Sequence, residues 1–222
     1  MNAALPTVVP LFATPFGVVP LADASQRNAA LAPLLAARAA NESDPARSAN
    51  PLCYQSRDDL LEWGDETVQS VATDILRGIY AIVAAVNSFS DSQLRVLTPQ
   101  ARAWFTIIRP DGALAATHYP LSAWCGIYCV AAPPASASRR DSGLLRLYES
   151  RLGTMFADAT NSGMRLPYTL GHHGWMPVPG QLAVFPASVM HEVGMIRAPG
   201  DMVLLSMRVR FVGPGQSGWP RW

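Results

Sequence analysis

The stretch "PVPGQLAVFPASVMHEVG", residues 177–194, decides how the second half of the chain is read. A Pro-Gly turn opens an apolar run, the run closes on Phe185-Pro186, and His191 follows five residues later. Turn, strand, break and a second strand start are all marked by residue type. The spacing predicts an imidazole at the start of the second strand, on one rim of a β-structure. Working outward, the runs 101–109, 122–130, 143–150, 180–186 and 202–211 are short and rich in β-branched or aromatic residues. They are bounded by "RPDG", "APPASAS", "VPG", "APGD" and "GPG". Many short strands cut by turn signals predict an all-β sandwich or barrel.

Upstream of Leu97 the period changes. Val68, Val71, Ile75, Ile79, Ile82, Val83 and Val86 recur at three- and four-residue spacing after a start signal at Asp65-Glu66-Thr67. That pattern predicts a long helix over Asp65–Asn87. A second helical pattern begins near Asp23 or Ser25, with Leu31, Leu34 and Leu35 on its apolar face and Pro33 as a weak point. Residues 41–51, "NESDPARSANP", read as a loop. The expected organisation is a supporting segment, 1–96, on a β-core, 97–222, in one integrated domain.

Residues 3–22 carry no charge, but prolines at 6, 10, 15 and 20 break any helix there, and no positive segment precedes it. Ala22-Asp23-Ala24 would pass for a cleavage site, so export stays open beside the expected cytoplasmic location. No other stretch reads as a membrane span. All 17 basic residues are arginine, the net charge is +1, and no basic cluster exists to neutralise phosphates, which excludes a nucleic-acid binder. Arginine without lysine, 19 prolines and abundant alanine point to a GC-rich, bacterial coding sequence. Cys53, Cys125 and Cys129 form no paired framework. Cys125 and Cys129 stand four apart in an expected strand, roughly 13 Å, too far for a disulfide. Reduced thiols are expected. The chain has no nucleophile elbow, no phosphate-binding glycine loop, and too few cysteines for a structural zinc site.

The four histidines, His118, His172, His173 and His191, all lie in the β-half beside expected strand ends, which points to a shared site. With them in view, the order of motifs resembles a small bacterial and phage group of 2-oxoglutarate/Fe(II)-dependent oxygenases. The likeness is carried by "PLFATPFGVV" (10–19), Asn28–Leu31, "SANPLCYQSRDDL" (48–60) and "AWFTIIRPDG" (103–112). It continues through "HYPLSAWCGIYCVAAP" (118–133), "DSGLLRLYESR" (141–151) and "PGQLAVFPASVMHEV" (179–193).

The resemblance implies an α+β chain: a double-stranded β-helix, or jelly roll, in the C-terminal half with N-terminal supporting helices. It implies Fe(II) and 2-oxoglutarate as cofactors and O₂ as co-substrate. The substrate would be a small-molecule or carrier-bound intermediate hydroxylated at an unactivated carbon, and a homodimer is open. His118 and His191 take the two imidazole positions as metal ligands and catalytic residues. The acid that would follow His118 is replaced by Tyr119-Pro120, so the third ligand is sought at His173, His172 or Asp111, or outside the protein. Glu192 would face away from its neighbour His191.

The resemblance places a carboxylate-anchoring arginine about ten residues beyond the distal histidine, where this chain has Asp201-Met202. Arg208 and Arg146 are the alternatives for holding the cofactor. Six residues separate Arg208 from Met202, roughly 20 Å of strand. Tyr128 is expected beside the cofactor, and Tyr119, Ser188 and Trp104 as further hydrogen-bond partners of the ligands. Two alternatives share the scaffold: halogenation, with chloride in the acid's place, and a cupin-like metal- or ligand-binding jelly roll without 2-oxoglutarate chemistry.

Overall fold

The computed structural model describes residues 10–41, 50–134, 139–149, 164–169 and 171–214. The chain is α+β, with two antiparallel sheets and few helices. In chain order the elements are β1 (Gly17–Pro20), α1 (Ala24–Asn41), β2 (Cys53–Gln55), a 3₁₀ turn (Leu60–Glu62), α2 (Glu66–Val86), α3 (Asp91–Arg95) and β3 (Thr98–Ile108). There follow β4 (Leu114–Thr117), β5 (Trp124–Ala131), β6 (Leu145–Tyr148), β7 (His172–Trp175), β8 (Gln181–Pro186), β9 (His191–Val193) and β10 (Met202–Val212). The larger sheet runs β1-β8-β5-β10-β3-β2 and the smaller β4-β9-β6-β7.

The five expected strands correspond to β3, β5, β6, β8 and β10. Those of the larger sheet read as continuous apolar runs because both faces are covered. One face of β10 (Val203, Leu205, Met207, Val209) joins Phe105, Tyr128 and Leu182 against Val71, Ile75 and Ile79 of α2. The other (Met202, Leu204) joins Cys125, Ile127, Phe185, Leu145 and Val193 between the sheets. A sheet buried on both sides loses the polar alternation of a half-exposed one. Gly126 allows α2 its close approach: a Cβ there would stand 2.9 Å from Ile79 Cδ1.

The Asp65 carboxylate caps α2 by accepting from Val68 N at 3.0 Å, removing one orphan donor. By length and composition α2 is apolar enough to cross a membrane, which the sequence reading did not expect. Its apolar face is instead buried on the larger sheet. The first helix runs through Pro33. The expected loop 41–51 lies mostly in 42–49, outside the described residues. Residues before 97 do more than support the core: β1 and β2 are its two edge strands, pairing with β8 and β3. None of the three cysteines is in a disulfide, and all three are buried.

Candidate functional site

Across the smaller sheet, Thr117, His191, Leu147 and His173 stand in register on β4, β9, β6 and β7. Directly opposed residues share a face, and Leu147 and His191 place this one between the sheets. His191 is 1% exposed, with the Phe185 ring at 4.9 Å and the Tyr119 ring at 5.7 Å. Its Nδ1 lies 3.0 Å from the Val189 carbonyl. A carbonyl only accepts, so Nδ1 carries the proton and Nε2 the lone pair. Burial holds the imidazole below its ordinary pKa, the Val189 bond opposes this, and the charge of His118 lowers it further. His191 is therefore a neutral imidazole, the form that binds a metal.

His118 is exposed. The reason is a register shift on β4: Leu114 pairs with Val193 and Thr117 with His191, three residues against two. A bulge of one residue reverses which side chains face inward. Strict alternation from buried Leu114 would bring His118 inside; the bulge brings Thr117 and Tyr119 there instead. Burial raises the Tyr119 pKa well above the ordinary phenol value. Its ring meets Trp104 edge-on at 5.1 Å.

The other expected positions separate. His173 shares the face of His191 but lies two strands away with Leu147 between, roughly 10 Å at the usual strand spacing. Its ring packs on Phe16 at 5.0 Å. As the expected third ligand, it stands with Leu147 between it and His191 and its ring turned to Phe16. His172 faces the outer side, against Tyr148. Asp111 sits in the far turn, paired with Arg197 at 3.1 Å. Among the described residues, no three His, Cys, Asp or Glu side chains gather closely enough to hold a metal.

Arg146 is corrected as a cofactor residue. It lies on the outer face of the smaller sheet, 2.8 Å from Glu192, which also accepts from the Tyr148 hydroxyl at 2.8 Å. Those two donors, Tyr148 first, hold the Glu192 carboxyl below its ordinary value. Tyr128 is corrected as well. It is fully buried on the helix side, its hydroxyl donating to Asn28 Oδ1 of α1 at 2.7 Å.

Arg208 does face the open end. Its guanidinium stands 6.0 Å over the Trp104 ring and 5.9 Å over Tyr119, and pairs with Asp58 at 3.0 Å. At Met202, by contrast, the space between the sheets is filled: a Cβ on Gly143 would meet Met202 Cε at 2.8 Å and Ile196 Cδ1 at 3.1 Å. Asp58 was not legible as a site residue, because an ion pair 150 residues apart leaves no local pattern.

Among the described residues the donor set thus offers one buried neutral imidazole, a second, exposed imidazole within electrostatic reach, and no carboxylate beside them. Of these two it brings one, His191, to the inner face, and among the described residues it does not make a three-donor protein site.

Neither the family models nor the curated proteins searched contain a match to the chain. Among solved structures, a prolyl-4-hydroxylase from Pseudomonas putida is 18% identical, covering 89% of this chain and 93% of its own, with a TM-score of 0.54. The non-haem α-ketoglutarate-dependent epimerase SnoN of nogalamycin biosynthesis is 12% identical, covering 93% and 86%, with a TM-score of 0.58. The α-ketoglutarate-dependent carbocyclase SnoK of the same biosynthesis is 7% identical, covering 87% and 79%, with a TM-score of 0.60. At such identities the likeness is one of fold, and the fold this chain shares is that of 2-oxoglutarate- and iron-dependent enzymes.

Proposed function

We propose that the chain is a non-haem oxygenase that uses Fe(II) and 2-oxoglutarate on a small-molecule substrate. In this reading the core is a double-stranded β-helix whose open end, beside Trp104 and His191, is the working end. The observation that carries it is His191: a buried, neutral imidazole at the start of β9, its Nδ1–H fixed on Val189 so that Nε2 is the ligating atom. Such an outer hydrogen bond is what orients a metal-binding histidine. His191 and His118 would hold the metal, and the remaining positions would go to the oxo acid, O₂ and a ligand from outside the protein.

Iron, oxo acid and O₂ together supply an oxidant that takes hydrogen from carbon. The chain supplies the surroundings. Phe185, Trp104 and Tyr119 shield His191 from water, and Arg208 is the guanidinium at this end that a carboxylate can reach. The three buried thiols agree with a reducing, cytoplasmic setting. The reading is tested by incubating protein with Fe(II), 2-oxoglutarate and air. Succinate should accumulate, and none should form without O₂; succinate that never exceeds the metal-only blank would sink it.

A second reading is a ligand-binding jelly roll that does not use 2-oxoglutarate. Thr117 and Tyr119 favour it, since they and not acids or imidazoles flank His191, as does Met202 at the position the resemblance gives to the anchoring arginine.

A further inference from the structure

His191 stands between two openings. On one side its register neighbour Thr117 lines an open pocket with Trp104, Tyr119 and Arg208 in the wall. On the other side its register neighbour Leu147, and His173 next in the row, line a second pocket of about 280 Å³. Pro15 and Phe16 ahead of β1, with Leu166 and Pro167, face these two across it. We propose that this second pocket seats the organic substrate, and that the substrate is an uncharged molecule of one or two flat rings. This rests on the reading of the His191 end as the working end.

Position, charge and shape each support it. Leu147 is one strand from His191, about 5 Å at the usual strand spacing. Its side chain belongs both to the core between the sheets and to the pocket wall. A ligand seated there has its inner edge on Leu147, beside the imidazole. Among the described lining residues none is an arginine or lysine, and Glu149 supplies a carboxylate. The Tyr148 hydroxyl and the Arg146 guanidinium are both engaged by Glu192. An anion leaving water for this pocket would meet a carboxylate and no cation, and its desolvation would go uncompensated. The walls are flat: the Phe16 ring and two proline rings. Phe16 is held by His173 at 5.0 Å and by Trp175 edge-on at 6.3 Å. A rigid planar ligand covers such surfaces with little loss of rotamer freedom. Leu166, 66% exposed, is apolar surface that the ligand would take out of water. The volume lies below the range of roughly 300–1,000 Å³ for drug-sized ligands, which limits the occupant to one or two rings.

The test is calorimetric titration of the chain in EDTA at pH 8 with 2-naphthol and with 2-naphthoate, which share their rings and differ in charge. 2-Naphthol should bind the wild type, and 2-naphthoate about tenfold more weakly or not at all. Phe16→Ala should weaken 2-naphthol about three- to tenfold, the scale of one aromatic pair. Arg208→Gln, in the other pocket, should leave 2-naphthol binding unchanged. Leu166→Arg should tighten 2-naphthoate several-fold by placing a guanidinium in the wall, a gain that no misfolded variant can imitate. Circular dichroism checks that each variant is folded. Absence of 2-naphthol binding, or 2-naphthoate bound as tightly by the wild type, would overturn the proposal. So would 2-naphthol affinity indifferent to Phe16→Ala or lost in Arg208→Gln, or no gain for 2-naphthoate in Leu166→Arg. Phe16-dependent 2-naphthol binding by a chain that forms no succinate from 2-oxoglutarate in air sinks the oxygenase reading and leaves the neutral-ring site standing. Succinate formation by a chain that does not bind 2-naphthol does the reverse.

Discussion

Tyr128 and Arg208 lie on neighbouring strands and face opposite sides of the same sheet, and the two carry different kinds of work. Tyr128 joins β5 to α1 through Asn28, and its loss is a matter of stability. Tyr128→Phe leaves a buried amide oxygen without its donor and should cost about 1–3 kcal/mol in chemical denaturation, with metal binding unchanged. Arg208 faces the ligand end, and its loss should show in 2-oxoglutarate binding and little in stability. The same contrast separates the histidines. His191 is inside and oriented by Val189; His118 is outside by one residue of register. A His118→Ala variant that still binds one metal per chain would remove His118 from the metal site. One whose metal affinity falls at least about tenfold, within the effect of losing a ligand-shell group, would keep it there.

At the scale of elements, α1, α2, strands β3, β5, β6, β8 and β10 and the start of β9 were legible in the sequence, and α3, β1, β2, β4 and β7 were not. The α2 pattern over Asp65–Asn87 matched the helix and both of its caps, because a three- and four-residue apolar period and an Asp cap are local signals. Strands β4 (LAAT) and β7 (HHGW) carry no run of β-branched or aromatic residues to mark them. The bulge on β4 is set by pairing with β9, so the facing of Thr117, His118 and Tyr119 could not be read from residue order. The same limit hid which side of their strands Arg146 and Tyr128 occupy.

The packing of α2 gives a direct check. Ile75→Ala in the centre of its buried face should cost about 2–5 kcal/mol through the cavity it opens. The junction of α1 and α2 adds a pH dependence. The Arg27 guanidinium holds the Asp74 carboxyl below its ordinary value. A depressed carboxyl contributes stability above its unfolded pKa, and that stability is lost as pH falls through the folded value. Asp74→Asn should therefore lower the melting temperature at pH 7, and the difference should vanish as the pH falls below that range.

At the scale of the whole molecule, two antiparallel sheets close on a core that is packed at Met202, while a pocket opens beside Trp104, Tyr119 and Arg208. The edges of the larger sheet come from residues before 97, so the N-terminal segment is part of the architecture that holds the open end in shape. The fold is shared with solved α-ketoglutarate-dependent non-haem enzymes, while among the described residues no three metal-ligating side chains gather. Whether this end holds iron is read most directly by anaerobic titration with Fe(II) and 2-oxoglutarate under visible spectroscopy, comparing wild type with His191→Ala. The account predicts a metal-to-ligand charge-transfer band in the wild type that is lost in the variant. A wild type that shows no band at saturating Fe(II) and 2-oxoglutarate, or a band that survives in His191→Ala, would contradict it.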